Sequence, residues 1–263
     1  MNWIEVNGTG LRYELSGAGK TTLVLVHEMG GTLDSWDQVV PALNHARRVL
    51  RYDTRGAGIS EKIGGKVTFD DMADDLAALL DATGITGKVA IAGTAVGGAI
   101  AIHFAVRHAA RAGALAVTSP ATGVPAERRQ ATLDRAAAVE AKGMRGIVEG
   151  SVANSYPPEV RHNAEAFRKF RARWLGNDPQ SFAAINRMLA DSTVTEELPR
   201  IACPTLVIGC MHDRLRPPSD VEPMAKQIPG AEYMTINSGH FAGIQTPGLV
   251  SQAFHGFFSA QGY

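Results

Sequence analysis

The sequence predicts an α/β protein built on a largely parallel sheet with helices on its faces. Short apolar runs alternate with longer segments of helical periodicity, which is the pattern of repeated strand–helix–strand units. Between residues 123 and 194 the strand signals stop, and the segment is helical in pattern and rich in alanine and arginine. We therefore predict a core formed by residues 1–122 and 195–263, with a helical cap inserted at 123–194.

Short apolar or β-branched runs that end in glycine, proline or polar residues are typical of strands. In chain order they are 11–15 (LRYEL), 22–26 (TLVLV), 47–53 (RRVLRYD), 89–93 (VAIAG), 112–118 (AGALAVT), 204–210 (PTLVIGC) and 232–236 (EYMTI). Gly8 and Gly17 flank the first run, so we expect the chain to open on a hairpin-like turn.

Apolar residues spaced three to four apart predict helices in the segments between these strands. The core helices are expected at 35–44, 68–83, 98–108, 218–227 and 247–258. Thr68 can cap the second of these, and four acids follow in its first turns, where the helix dipole favours negative charge. We interpret these acids as a solvated helix face rather than a metal site: Asp70, Asp71, Asp74 and Asp75.

The charge balance of the 263 residues gives no sign of a polyanionic partner. Lys and Arg total 26 and Asp and Glu total 26, so nothing favours nucleic acid or an acidic membrane. No apolar stretch is long enough to span a bilayer, and the N-terminus has no signal-peptide pattern. We expect a cytoplasmic protein that acts on a small molecule. Cys203 and Cys210 lie around one strand and are expected as reduced thiols, while no pattern specifies the oligomeric state.

The turn after the strand at 89–93 has the spacing of a nucleophile motif. Gly93-Thr94-Ala95-Val96-Gly97 matches G-x-S-x-G except at its centre, where alanine stands in place of serine. The motif places its central residue on a strained strand-to-helix turn, so the residues two away must be nearly free of side chain. Ala95 is therefore at the expected nucleophile position, and Thr94 is expected to point elsewhere.

Two further strand ends supply an acid and a base. Asp213 follows the strand at 204–210, and His240 follows the strand at 232–236. The order nucleophile, acid, histidine is one of the known orders of a catalytic triad. We predict Asp213 as the acid and His240 as the general base, and prefer His240 to His212 because His212 lies off the triad spacing.

The loop His27–Gly31 follows an early strand, where a second oxyanion donor is expected. By this logic the backbone N–H groups of Met29 and Val96 form the oxyanion hole. Both are main-chain groups, so an alanine at position 95 leaves them in place.

The segments NGTGLRYELSG, LVHEMGG, VLRYDTRGAGIS, GTAVGGAIA, PTLVIGCMHD and SGHF together resemble the α/β-hydrolase superfamily. Within it the chain is most similar to 3-oxoadipate enol-lactonases, chiefly through the first and third segments. The resemblance implies an eight-stranded, mostly parallel sheet, a helical cap, an active site between them, and hydrolysis of a lactone or ester without metal or organic cofactor. Hydrolysis of a C–C bond or an amide on the same fold stays open as an alternative.

Two positions depart from the family pattern. Glu28 stands where a small residue is usual, so its carboxylate either contacts the substrate or points to solvent. Ala95 cannot attack a carbonyl, which leaves three interpretations. Serine was changed to alanine by engineering in an otherwise intact enzyme; the protein is a non-catalytic sensor on a hydrolase scaffold; or His240 acts directly as a general base.

Substrate choice is expected to depend on the cap. Trp174 and Phe170 are candidates for an apolar wall, and Arg171 or Arg173 for a bidentate carboxylate clamp. Glu28 completes the set of candidate substrate contacts.

Overall fold

The computed structural model describes residues 2–263. Eight strands form one sheet in the order β1-β2-β4-β3-β5-β6-β7-β8. The strands are β1 (Asn2–Val6), β2 (Thr9–Ser16), β3 (Thr22–Val26), β4 (Arg48–Tyr52), β5 (Val89–Thr94), β6 (Ala112–Thr118), β7 (Thr205–Cys210) and β8 (Glu232–Ile236). Strand β2 is antiparallel to β1 and β4, and the remaining pairs are parallel. The predicted fold class is confirmed.

Within the described residues, ten α-helices lie against the sheet or above it. They are α1 (Val40–Leu43), α2 (Phe69–Ala82), α3 (Val96–Arg107), α4 (Ala126–Lys142), α5 (Val148–Ser155), α6 (Ala164–Leu175), α7 (Pro179–Asp191), α8 (Pro218–Ala225), α9 (Ala242–Gln245) and α10 (Pro247–Ala260). Helices α4 to α7 occupy the predicted insertion and pack around their own cluster of apolar side chains. None of the helices between residues 2 and 263 is both long and apolar enough to cross a bilayer.

The apolar core has two layers because the central parallel strands are covered on both faces. Helices α2 and α3 cover one face, and α1 and α10 cover the other. Strand β3 is buried at every position, as the unbroken apolar run TLVLV predicts. Trp36 is buried against Phe254 of α10.

Three local expectations need correction. The single helix expected at 35–44 is a 3₁₀ turn at Leu33–Trp36 followed by the four-residue α1. The helix expected at 98–108 begins two residues earlier, at Val96. Asp75 is not on a solvated face: it is buried and ion-paired with Arg55 at 2.6 Å.

The remaining acids of α2 behave as helix-end groups. Thr68 and Asp71 form a capping box, which satisfies backbone N–H groups at the helix start. Asp70 and Asp74 both pair with Arg107 of α3. Within residues 2–263 there is no group of three or more side chains placed to hold a metal ion.

Candidate active site

The turn between β5 and α3 holds Ala95 in a strained backbone conformation. Ala95 has φ 53° and ψ −115°, in a region that residues with a side chain rarely adopt. The turn is tight because a Cβ on Gly93 would lie 2.3 Å from the Gly97 carbonyl oxygen. A Cβ on Gly97 would lie 2.3 Å from the carbonyl oxygen of Val26. Only glycine fits at both positions, as the motif predicts, and α3 therefore begins directly against the end of β3.

His240 and Asp213 meet as the chain order predicts. The Nδ1 of His240 lies 2.7 Å from Oδ2 of Asp213, and both side chains are buried. The other Asp213 oxygen accepts hydrogen bonds from the backbone N–H groups of Leu215 and Arg216, at 2.8 and 2.9 Å. Three contacts therefore fix the carboxylate, and Nε2 of His240 is left for another partner.

The environment of Asp213 keeps it ionised. Burial by itself raises the pKa of its carboxyl, but His240 and the Arg216 N–H outweigh burial, so the pKa lies below its usual value. An ionised Asp213 holds the proton of His240 on Nδ1, so that Nε2 can accept. This is the arrangement that a general base needs.

The loop after β3 is held by the side chain of His27. Nδ1 of His27 lies 2.7 Å from the carbonyl oxygen of Glu28, and Nε2 accepts from the Thr54 N–H at 3.0 Å. The N–H of Gly31 also donates to the Glu28 carbonyl, at 3.0 Å. These bonds fix the backbone on both sides of Met29. His27 directly follows a buried strand, and this position in the sequence could have indicated a role in holding the loop.

A cavity of about 540 Å³ lies between the sheet and the cap. The floor of the cavity is lined by Ala95, Val96, His240 and Met29. The turn after β5, the histidine and the loop after β3 therefore border one space. Helices α4, α5 and α7 supply much of the opposite wall. A small carbonyl compound bound here would contact Ala95, His240, Met29 and Val96, with Asp213 behind His240.

The alpha/beta hydrolase fold family matches residues 21–247 of the sequence, which is most of the chain. The chain belongs to this family. It is 29% identical to 3-oxoadipate enol-lactonase 1 of Acinetobacter baylyi over 252 residues, covering 95% of this chain and 93% of the relative. It is 28% identical to a putative carbamate hydrolase, RutD, of Pantoea ananatis, covering 88% of this chain and 85% of that protein.

Two solved structures share the fold over almost their full length. An esterase from Thermogutta terrifontis, solved with malate bound, superposes with a TM-score of 0.93 at 28% identity, covering 99% of both chains. The enol-lactonase from Burkholderia xenovorans superposes with a TM-score of 0.92 at 26% identity, covering 98% of this chain and 100% of that one. The similarity to α/β-hydrolases expected from the sequence is confirmed, including its enol-lactonase branch.

In this α/β-hydrolase, four of the five candidate substrate contacts lie away from the cavity. Trp174 lines it. Glu28 does not: it is buried and accepts from the Ser35 hydroxyl at 2.8 Å, so it neither points to solvent nor contacts a ligand there. Phe170 packs against Phe241 within the apolar cluster of the cap.

The two arginines expected as a carboxylate clamp also lie elsewhere. Arg171 pairs with Glu149 on the outer surface of the cap. Arg173 donates to the Ser35 hydroxyl at 3.2 Å and lines a separate cleft. Both expectations are corrected, because helical spacing fixes which residues share a face of α6 but not which face the cavity receives.

Two rival residues are excluded by their positions. Thr94 is buried within β5 and is not among the residues that line the cavity. His212 bonds instead to the Asn237 side chain, at 2.7 Å, also away from the cavity. Sequence reasoning overlooked three other residues, the arginines of the cavity wall: Arg128, Arg135 and Arg216.

Proposed function

We propose that this chain has the active site of a hydrolase for a small lactone, ester or carbamate, and that Ala95 replaces the serine nucleophile. The observation that supports this most is the 2.7 Å contact between His240 and Asp213 beside the strained turn at Ala95. An acid–base pair, a nucleophile elbow and a shared cavity are the components of acyl transfer to water.

With serine at position 95, the reaction follows from these positions. The hydroxyl oxygen attacks the substrate carbonyl while Nε2 of His240 takes its proton. The N–H groups of Met29 and Val96 stabilise the oxyanion, and two such donors contribute about 3 kcal/mol each in comparable sites. The tetrahedral intermediate then collapses to an acyl-enzyme: the bond to the leaving group breaks, and the protonated His240 gives its proton to that group. His240 next activates water, which releases the acid and restores the serine. These steps require no metal or organic cofactor.

The methyl group of Ala95 removes the attack but leaves the other components. The oxyanion donors are backbone groups, and Asp213 and His240 are positioned by contacts that do not involve residue 95. The expected behaviour of this chain is therefore substrate binding with little turnover. An engineered serine-to-alanine change accounts for a site in which every component of the triad is present except the hydroxyl oxygen of the nucleophile. The natural coding sequence tests that origin directly.

The substrate class follows from carbonyl chemistry and from the relatives. Enol-lactonases and putative carbamate hydrolases are both among the proteins similar to this chain. In an enol lactone the leaving group is already stabilised as an enolate, so little general acid assistance is needed. A lactone or ester is accordingly the first substrate to test, and a carbamate the second.

The decisive experiment is Ala95→Ser assayed with short-chain aryl esters and lactones. We expect a rise in kcat of at least about a thousandfold over the present chain, as nucleophilic catalysis is restored. Addition of His240→Ala should abolish the gain, whereas His162→Ala, on the exposed cap surface, should preserve it. An Ala95→Ser protein that binds ligand but gains no turnover contradicts the proposal.

Ala95 itself favours a second candidate, ligand binding without chemistry. A sensor on this scaffold would retain tight binding in both the alanine and the serine form, with no hydrolysis in either. Direct general-base catalysis by His240 is a further variant, because its Nε2 faces the cavity without a hydroxyl to deprotonate. Turnover by the present chain that disappears on His240→Ala would support that variant over both others.

A further inference from the structure

Three arginines line the cavity without an acidic partner. Arg128 and Arg135 lie on α4, and Arg216 lies in the loop after β7. None of them takes part in an ion pair with any residue between 2 and 263. No aspartate or glutamate is among the residues that line the cavity.

Many arginines elsewhere in the protein pair with carboxylates, although Arg47 is buried without one. Nine of them pair with carboxylates: Arg12, Arg51, Arg55, Arg107, Arg111, Arg129, Arg171, Arg187 and Arg214. A guanidinium withdrawn from water needs compensating negative charge. Arg135 and Arg216 are largely withdrawn from water and form no ion pair within residues 2–263, whereas Arg128 is exposed; an anionic ligand would supply negative charge to all three.

Arg135 is the most enclosed of the three. Its guanidinium lies 5.8 Å from the ring centroid of Trp174 and 5.5 Å from that of Phe182, and it donates to the Ser151 hydroxyl at 2.9 Å. Its Nε is buried and has no hydrogen-bond partner in the described chain. Burial lowers the pKa of Arg135, which shows how little water compensates its charge. The aromatic rings and the serine hold the group in place without neutralising it.

Arg216 is connected to the reacting centre through the backbone. Its N–H donates to Asp213 at 2.9 Å, and its guanidinium donates to the Gly123 carbonyl oxygen. Burial lowers the pKa of Arg216 and outweighs the opposing effect of the Asp213 and Asp220 carboxylates, and the positive charge of Arg128 lowers it further. Arg128 and Arg216 line the same cavity and carry like charges, which favours an anion bound between them.

The spacing on α4 separates the arginines into two positions. Arg128 and Arg135 are seven residues apart, which puts them on one face with their Cα atoms about 10 Å apart along the helix. Thr132 lies between them and also lines the cavity. The charges thus form one group at Arg128 and Arg216 and another at Arg135.

We propose that the cavity binds a substrate with two anionic groups, one held by Arg135 and the other by Arg128 and Arg216, with the reacting carbonyl at Ala95. The reaction at Ala95 rests on the proposed function, whereas the binding of the two anionic groups does not. Among residues 2–263, three guanidinium groups and no carboxylate line the cavity, which favours a ligand with two carboxylates, or with one carboxylate and one phosphate-type group. Glu28 does not oppose this, because it bonds to Ser35 and does not line the cavity.

Calorimetric titration of the present Ala95 protein tests the proposal without turnover. The probes are succinate, glutarate, adipate and pimelate, each with its monomethyl and dimethyl ester, and 3-phosphonopropionate. We expect the best dianion to bind at least about tenfold more tightly than its monomethyl ester, with the dimethyl ester weaker again. A preference for 3-phosphonopropionate over the dicarboxylates would assign one position to a phosphate-type group.

Substitution of each arginine should remove one of the charges on which the preference for dianions depends. Arg135→Gln and Arg216→Gln should each reduce the dianion preference to less than about threefold. Arg135→Lys, which keeps the charge, should retain part of it and guards against misfolding of the glutamine variant. Arg187→Gln, whose side chain pairs with Glu140 on the cap surface, should leave the preference unchanged.

Two results would overturn the proposal: equal affinity for a dianion and its monomethyl ester, or no binding of any probe by a protein that is folded by circular dichroism. The proposed function fails separately. If Ala95→Ser hydrolyses neutral esters and shows no anion preference, the hydrolase assignment stands and this inference falls. If dianions bind with the stated preference but Ala95→Ser hydrolyses nothing, the inference stands and the hydrolase assignment falls.

Discussion

The Thr54 backbone N–H donates to Nε2 of His27 over 3.0 Å, and this bond sets the protonation of the histidine. Because Nε2 accepts, the ring proton is on Nδ1, which donates to the Glu28 carbonyl at 2.7 Å. His27 thus joins the loop after β4 to the loop after β3. The proposed oxyanion donor, the N–H of Met29, follows directly.

Replacement of His27 by alanine should loosen that loop. We expect the free energy of unfolding to fall by about 1–3 kcal/mol, because the Thr54 N–H loses its partner and the Glu28 carbonyl keeps only the Gly31 N–H. In the Ala95→Ser background, kcat should fall by at least about tenfold with a smaller change in KM, since the displaced donor acts on the transition state. Chemical denaturation and steady-state kinetics measure the two effects. Equal losses from His162→Ala, an exposed site, would contradict this role.

Gly97→Ala should damage the nucleophile turn. The new methyl group would meet the carbonyl oxygens of Val26 and His27 at 2.3 and 2.4 Å, and backbone atoms cannot move aside easily. We expect a loss of about 1–3 kcal/mol in stability. Gly256→Ala is the matched control: it lies within α10 with nothing within 4 Å of an added Cβ, so it should gain about 0.5–1 kcal/mol. Similar melting temperatures for the two variants would show that the turn tolerates a side chain.

Ala95→Gly should raise the stability of the protein, although replacing alanine with glycine normally lowers it. Ala95 has φ 53°, and glycine adopts positive φ without steric cost. Relief of that strain is worth about 1 kcal/mol, less the extra entropy of the unfolded chain. Ala77→Gly inside α2 is the comparison and should cost about 1 kcal/mol. If both variants destabilise equally, Ala95 is not strained.

His103 should make stability depend on pH near neutrality. Burial by itself lowers its pKa, but hydrogen bonds to Glu197 and Asp70, both at 2.7 Å, outweigh burial and raise it. A raised pKa in the folded state gives stability that is fully present below the unfolded value of about 6.5 and is lost as pH rises through the folded value. Urea denaturation from about pH 5.5 to about pH 9 should show this decline.

His103→Gln is the test of that assignment. The variant should flatten the part of the pH profile that lies above the ordinary histidine pKa, because no proton is then released at this site. His162→Gln, on the exposed surface, should reproduce the decline of the parent protein. A profile unchanged by His103→Gln would assign the decline to another group.

The sheet could be predicted from sequence because its central strands are buried on both faces. The run TLVLV at β3 and the run AGALAVT at β6 match the observed strands residue for residue. The helix α2 was equally clear, since Thr68 caps it and apolar residues recur on one face. The 35–44 segment was less clear because α1 has only four residues, too few for periodicity to separate it from the preceding 3₁₀ turn.

The candidate site could likewise be predicted only in part, because some of its residues follow from local sequence and others from contacts between distant segments. Chain order and strand ends were enough to select Asp213 and His240, because the carboxyl ends of neighbouring parallel strands meet at one edge of the sheet. They were not enough for the cap, where Arg135 faces the cavity while Arg171 faces solvent. Arg135 lies on α4, which packs against α7, whereas Arg171 lies on α6 and pairs with Glu149.

The sequence by itself determined the fold, the missing hydroxyl at Ala95 and the acid and histidine beside it, because each depends on residue type and local spacing. Only the tertiary structure decided that Glu28 is bonded to Ser35, that His27 fixes the loop after β3 and that three unpaired arginines line the cavity. Those facts depend on contacts between segments far apart in the chain, and no local pattern specifies which distant group a buried charge will meet.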